Sequence, residues 1–380
     1  MRYTARAVEA ELEQKILPNK VLMILGARRV GKSSLINNYL RSLSTDKYLK
    51  LNGEDWSDVE LLKERTVANY SRLLRNIDLL VIDEAQKIGD IGMILKLIVD
   101  EIPNIKVLVT GSSQFDMSYK LGEPLVGRKN VIHLFPFSQF EFSQTENLKD
   151  TMELRTHRLI YGSYPELEHL DTEQAKKEYL MQMVNDYLLK DILEFEGIRH
   201  SAKIYELLKL IALQIGSEVS YQELAQQLGL SKLTVERYLD LLSKVFVLYK
   251  VGGYSRNLRK EVAKSSKWYF FDNGIRNALL RDFNAADLRG DLGALWENYL
   301  VYERVKYQYS QRTYTQNYFW RTYDQQEIDW IEEESGSVHA FEFKISAMTK
   351  VKPPRGWVSN YPNAPFSVIH PGNYLDWLGC

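Results

Sequence analysis

The sequence predicts an α/β protein in which a parallel sheet is followed by a helical middle and a second α/β region. Three observations carry this reading. Five apolar runs, VLMIL (21–25), KYLKLN (47–52), DLLVID (78–83), KVLVTG (106–111) and NVIHLF (130–135), alternate with helical patterns over the first 145 residues, the rhythm of a parallel sheet. Residues 26–33 read GARRVGKS, set between the first run and the helical SLINNYL. Near the other end, IDWIEE and HAFEFKI are joined by ESGS as two paired strands.

Length and composition bound the rest. A chain of 380 residues is too long for one ordinary core, and the pattern divides it into 1–145, 146–200, 201–254 and 255–380. Four of the five runs are dense in Val, Ile and Leu, as strands covered on both faces require. A hydrophobic content of 45% with 26% charged residues fits a globular protein. The net charge of −1 confines any nucleic-acid surface to a local patch. The single cysteine, Cys380, excludes a disulfide framework or a Cys-based zinc site and suits a reducing compartment. The opening MRYTARAVEAELEQKI has no apolar signal core, and no run approaches the ~18 apolar residues of a membrane span. The expectation is a cytoplasmic protein. Pro and Gly clustered at 353–372 read as an irregular tail.

GARRVGKS carries phosphate chemistry. Glycines let the loop Gly26, Ala27, Arg28, Arg29, Val30, Gly31 turn so that successive N–H groups face an anion. Lys32, Ser33 and Ser34 open the helix whose positive end points at the same place. Lys32 adds a cation at the β and γ phosphates, and Ser33 a hydroxyl ligand for Mg²⁺. In DLLVIDEAQ, Asp83 and Glu84 end an apolar strand, where Asp83 holds the Mg²⁺ and Glu84 orients or deprotonates the attacking water. TGSS (110–113) ends a third strand with hydroxyls suited to sensing a γ-phosphate. Arg28, Arg29 and Arg128 (in LVGRK) are candidate stabilisers of transition-state charge. Arg128 is the one set to reach a neighbouring subunit's nucleotide, which makes a homo-oligomer an expectation.

GARRVGKSSL, LLVIDEAQ, VLVTGSS and LVGRK, together with the later RLIYGSYPE and DYLLKDILEFEGI, resemble a prokaryotic family of AAA-type P-loop ATPases with a C-terminal region of unassigned role. The ordered series spans nearly the whole chain. By this resemblance Lys32 and Ser33 match the Walker A residues, Asp83 and Glu84 the Walker B pair, and Ser112 or Ser113 the first sensor. The resemblance implies ATP as the nucleotide; no base-reading motif states it independently.

The middle of the chain reads as a helix-turn-helix. In SYQELAQQLGLSKLTVERYLDLLSKVFVLYKVGGY (220–254), Leu224, Ala225 and Leu228 recur at helical spacing, Gly229 ends the helix and Ser231 caps the next. Val235, Leu239 and Leu242 continue the apolar face, and VFVLYKV comes next as a strand, the order of a winged helix. Lys232, Thr234, Glu236 and Arg237 would face a groove in a DNA-reading version, with Glu236 turned against the phosphates. Lys250, Arg256, Arg259, Lys260, Lys264 and Lys267 form a basic stretch opposed only by Glu261, suited to phosphate contacts. Winged helices also bind proteins, so both partners stay open.

The late strand pair carries the last motif. Glu342 and Lys344 share a strand face by alternation, Asp329 comes from the paired strand, and GALWENYLVYERV supplies Glu297 from a preceding helix. The set resembles the PD-(D/E)xK nuclease core, in which acids bind a divalent metal and the lysine positions the nucleophile. Mg²⁺ or Mn²⁺ would suit Glu297, Asp329 and Glu342, with Lys344 beside them. The combined expectation is an ATP-hydrolysing AAA-type ATPase that binds DNA and cuts it or only holds it. The alternative is an ATP-dependent switch that binds protein through an inactive nuclease-like domain.

Overall fold

The computed structural model describes residues 3–112, 125–188, 201–255, 265–348 and 351–380. They form two compact units, one of residues 1–136 with 244–246, the other of residues 137–243 with 247–380.

In the first unit α1 (Glu9–Lys15) precedes β1 (Lys20–Leu25) and α2 (Lys32–Ser42). Then come β2 (Tyr48–Asn52), α3 (Trp56–Lys63), α4 (Val67–Leu73) and β3 (Leu79–Asp83). The unit closes with α5 (Ile91–Glu101), β4 (Lys106–Gly111) and β5 (Lys129–His133). The strands form one parallel sheet in the order β2-β3-β4-β1-β5. All of β3 is buried, and all but the first residue of β1 and β4. The two edge strands are only half covered. α5 shows how the cover works: Ile91, Ile94, Leu95, Ile98 and Val99 recur at helical spacing and are its buried stripe. Because the central strands are apolar throughout, their polar groups gather where the strands end. The order puts the ends of β3, β4 and β1 side by side.

The second unit opens with α6 (Gln139–Phe142), α7 (Leu148–Tyr161) and α8 (Glu173–Gln182). Next are α9 (Ser201–Leu213), α10 (Tyr221–Leu228) and α11 (Lys232–Lys244). β6 (Leu248–Gly253), β7 (Ser266–Phe270), α12 (Asn273–Leu280) and α13 (Leu292–Gln311) lead to β8 (Gln316–Arg321), β9 (Glu327–Glu334) and β10 (Ser337–Phe343). α14 (Arg355–Asn360), β11 (Phe366–Ile369) and α15 (Tyr374–Trp377) complete it. A mixed sheet runs β11-β10-β9-β8-β6-β7. One of its faces packs Trp320, Ile328, Ile331, Val338 and Ala340 against Trp357 and Tyr361.

The helix pair matches the sequence pattern. Leu224, Ala225 and Leu228 are buried on α10, Gly229 takes the left-handed conformation at its end, and the Ser231 hydroxyl accepts the Thr234 amide at 3.1 Å. Two expectations change. The boundaries at 145 and 254 do not coincide with the units: residues 137–145 belong to the second unit, and β6 and β7 pair with each other across position 254. Gly252 and Gly253 also pair with Tyr318 and Phe319, which joins this ribbon to the C-terminal strands. The tail is not irregular either. Phe366–Ile369 pairs in parallel with Ala340–Phe343, because the outer edge of β10 would otherwise leave its backbone groups unmatched.

Asp272 is the local anchor between α12 and the segment after α7. Its carboxylate accepts the amides of Ser163 (2.7 Å), Gly274 (2.8 Å) and Ile275 (3.3 Å), and burial pushes its pKa up to about 6. Asp272→Ala removes a helix cap and strands buried N–H groups, so a loss of roughly 2–4 kcal/mol is expected. Six of the seven tryptophans lie in this unit, so urea unfolding monitored by tryptophan fluorescence reads it directly. An unshifted midpoint would remove Asp272 from this role.

Candidate functional site

The first site is built where β1, β3 and β4 end. Between β1 and α2 the loop brings Gly26 so close to the Leu134 carbonyl that a Cβ would stand 2.1 Å from its oxygen, and Gly31 takes φ +94°. Neither position suits a larger residue. Val30 is fully buried beneath the loop. Lys32, 5% exposed, donates from Nζ to the carbonyls of Gly26 and Ala27, both at 2.9 Å, and so lies folded on the loop. Ser33 and Ser34 are exposed in the first turn of α2.

Asp83 joins three segments. The Ser33 hydroxyl donates to its Oδ2 at 2.8 Å, and the Thr110 hydroxyl donates to Oδ1 at 2.5 Å. Thr110 also accepts the Glu84 amide at 2.9 Å, which fixes Glu84 in a left-handed conformation, φ 52°. Gln86, 4% exposed, donates from Nε2 to Glu84 Oε2 at 2.6 Å and to the Ser112 hydroxyl at 3.2 Å. The structure thus brings together Lys32, Ser33, Asp83, Glu84 and Ser112 as the motifs anticipate. The adjacent Ser33 hydroxyl and Asp83 carboxylate are hard oxygen donors that fit Mg²⁺.

Of the arginines, Arg29 (φ 65°) lies exposed in the loop and Arg28 is half-buried beside it. Arg128 is elsewhere. Its carbonyl accepts the Val21 amide at the start of β1, and its Nε donates to Asp100 Oδ1 at 2.5 Å. That is the opposite edge of the sheet, roughly 15 Å of strand away from the loop, so Arg128 takes no part at this chain's own phosphate site. Ser113 lies outside the described residues. The sequence motifs do not point to Arg6, which is 7% exposed and donates to the Val30 carbonyl at 2.8 Å and the Phe135 carbonyl at 2.6 Å. They also pass over Gln86, although DEAQ places it two residues beyond Glu84.

The second candidate is the acidic set of the second unit. The register that pairs Trp330 with Phe341 sets Asp329 opposite Glu342, on the face Glu342 shares with Lys344. A bulge re-aims this stretch: Tyr318 pairs with Ile331 and Trp320 with Ile328, which sets Phe319 of β8 against Asp329 and Trp330 of β9. Both Ile328 and Ile331 consequently reach the same core. Asp329 Oδ2 accepts the Phe343 amide at 2.8 Å, and Glu342 Oε1 accepts Lys344 Nζ at 2.6 Å. Glu297 Oε1 accepts the Tyr269 hydroxyl at 2.8 Å and lies 3.5 Å from Lys267 Nζ. Lys267 also pairs with Glu327 at 2.5 Å. Burial pushes the carboxyls of Glu297, Asp329 and Glu342 above their ordinary values; for Glu297 and Glu342 the charge of Asp329 adds to the rise.

The residues anticipated to converge lie in one charged set with Lys267 and Lys344. Among the described residues no group of three or more His, Cys, Asp or Glu is arranged to hold an ion. Each of Glu297, Asp329 and Glu342, the residues anticipated as metal ligands, has an oxygen engaged by a proton donor of the chain. Lys344 belongs to this pairing with Glu342 as a counter-ion. Lys267 is grouped by sequence with the solvent-facing basic stretch, yet it is 1% exposed and cannot reach a nucleic-acid phosphate. Arg256, Arg259, Lys260, Glu261 and Lys264 lie outside the described residues. On α11, Lys232, Glu236, Arg237 and Asp240 are exposed, charges that cancel along the helix, and Leu233 is 76% exposed among them.

Comparison with known proteins divides the chain into three stretches. Residues 18–143 match the family model described as AAA domain. Residues 152–286 and 292–378 match two domains of unknown function, DUF8612 and DUF4143. An uncharacterized protein of Mycobacterium tuberculosis is 25% identical over 97% of this chain and 80% of its own length. One from Methanocaldococcus jannaschii is 22% identical over 70% of this chain, a match spanning 64% of that relative. Among solved structures, AMPPCP-bound DnaA from Aquifex aeolicus is similar at a TM-score of 0.30 and 16% identity, over 64% of this chain and 89% of that one. Drosophila ORC bound to DNA is similar at a TM-score of 0.26 and 12% identity, over 73% and 96%.

The acidic set gives a pH dependence. Burial raises the Glu297 pKa from 4.5 to about 7, against the lowering by Lys267, with Asp329 and Glu327 raising it and Tyr269 bonded to it. The folded chain then keeps a proton that the unfolded chain releases, so this contribution to stability is present below pH ~4.5 and is lost as pH rises through about 7. Glu297→Gln is expected to flatten that fall in urea titrations at about pH 5 and about pH 7.5. An unaltered slope would assign it to other groups.

Proposed function

We propose, for a chain that carries an AAA domain at 18–143 and a DUF4143 domain at 292–378, that the first unit binds and hydrolyses Mg-ATP and the second unit is a protein-binding module. The observation that carries the first part is the Ser33–Asp83–Thr110–Glu84 network, in which a metal-ligand pair and a candidate base are positioned by one threonine. Ser33 and Asp83 would hold the Mg²⁺, which neutralises phosphate charge when bound. Lys32 would leave the loop carbonyls to meet the β and γ phosphates, and the loop amides would cradle them. Glu84 would accept the proton of the attacking water, with Gln86 and Ser112 setting its carboxylate.

Two observations favour a protein partner over DNA. The exposed face of α11 carries cancelling charges around Leu233, a surface poorly matched to phosphates, and Lys267 is removed from the basic stretch by burial. Among the described residues Lys250 is the exposed member of that stretch.

Lys32→Ala is expected to abolish binding of a fluorescent ATP analogue; undiminished affinity would overturn the nucleotide assignment. Glu84→Gln is expected to keep the nucleotide bound while turnover falls by about 10²–10⁴-fold, the loss of a general base. Hydrolysis at the parental rate would place the base elsewhere. Labelled duplex DNA is expected to show no binding that depends on Arg256, Arg259 and Lys260. If neutralising them lowers the log–log salt slope by about one per residue, DNA returns as the partner.

A further inference from the structure

The acidic set of the second unit contains its own cation. Lys267 enters it from β7, between Ser266 and Trp268, in a strand buried along its whole length. A lysine so placed needs acid partners, because an uncompensated buried ammonium costs several kcal/mol. It has them in Glu297 at 3.5 Å and Glu327 at 2.5 Å. Burial alone would lower its pKa, yet Glu297, Asp329 and Glu327 together raise it above that of an ordinary lysine. These contacts fix the ammonium among the acids that the nuclease-like motif would assign to a metal.

We propose that Lys267 takes the place of a divalent cation in this set, so that the DUF4143-bearing unit folds and works without a metal there. The donor inventory agrees. The Tyr269 hydroxyl and Lys267 converge on Glu297 Oε1, the Phe343 amide takes Asp329 Oδ2, and Lys344 takes Glu342 Oε1. An ammonium has no lone pair to offer an incoming ion and repels it. Arg321 adds a second cation at the rim, 2.8 Å from Glu218 and 3.8 Å from Glu327. The arrangement also explains why a lysine stands in an apolar strand: it ties β7 to α13 and to β9. Without Lys267, the facing Glu297, Glu327, Asp329 and Glu342 would retain, among the described residues, Lys344 and Arg321 against their charges, a surplus suited to Mg²⁺ or Mn²⁺.

The inference does not depend on ATP hydrolysis, and its test separates the two. The full chain carrying Asp83→Asn, which disables the first unit's metal pair, is titrated with Mn²⁺ alone and read by the loss of the free-ion electron paramagnetic resonance signal. No Mn²⁺ site dependent on Glu297 is expected. Adding Lys267→Ala, or the closer Lys267→Met, is expected to create one, which Glu297→Gln then abolishes, while Lys267→Arg keeps the chain metal-free. A Mn²⁺ site in the Asp83→Asn chain that disappears with Glu297→Gln or Asp329→Asn would overturn the proposal. So would neutral variants that gain no site. If both neutral variants unfold, refolding by added Mn²⁺ supports the exchange of one cation for another, and failure to refold overturns it.

Discussion

The Asp83 carboxylate receives hydroxyls from two neighbouring segments, Ser33 at the start of α2 and Thr110 near the end of β4, and the edge of the first unit is arranged around that sharing. Hydrogen bonds to a charged group are worth about 1.5–3 kcal/mol each. Their geometry is available only because β3 lies beside β4 and β4 beside β1. Apolar packing sets that order: residues of β3 and nearly all of β1 and β4 are buried, so a polar side chain is tolerated only where a strand ends. Thr110 then acts twice, holding Asp83 through its donor and Glu84's amide through its acceptor. The left-handed backbone at Glu84, costing of order 1–3 kcal/mol, is kept by that second bond.

The two acidic sites differ in who donates. A serine or threonine hydroxyl that bonds a carboxylate still carries lone pairs, and can turn its oxygen toward a cation. The first unit can therefore exchange an internal hydrogen bond for a metal ligand. Around Glu297 and Asp329 the donors are an ammonium, a phenol and a backbone amide, of which only the phenol has any acceptor capacity. Similar carboxylates thus have opposite capacities, decided by their neighbours.

This difference also marks what the sequence discloses. All five strands of the first sheet, the phosphate loop, and the Asp83–Glu84 pair are local patterns, and they are where they read. So are the helix faces of α10 and α11 and the same-face placement of Glu342 and Lys344, because periodicity encodes sidedness. It does not encode which element covers a side. Lys267 reads as one member of a basic stretch until Glu297 and Glu327, 30 and 60 positions on, are folded against it. Arg6 reads as an N-terminal charge, although its partners are Val30 and Phe135. The bulge at Asp329–Trp330 and the pairing of Gly252–Gly253 with Tyr318–Phe319 are long-range matters of register. A usable signal did exist for Lys267: it directly precedes WYFF in a strand pattern, and a charge in such a run calls for a buried partner.

A chain whose acids answer to a lysine in one unit and to hydroxyls in the other has, among its described residues, one place suited to turnover. The hydrolysis we propose there could affect a partner only through a difference in how the ATP and ADP states bind it, since a ligand shifts an equilibrium by no more than its differential affinity. The surface that makes this difference need not be strongly charged. On α11 the charges of the exposed Lys232, Arg237, Glu236 and Asp240 cancel, which weakens long-range steering, while the exposed Leu233 supplies apolar area. Such a surface discriminates by shape and burial at close range. That is the recognition expected of a protein-binding module, and it is consistent with a chain whose overall charge is nearly zero.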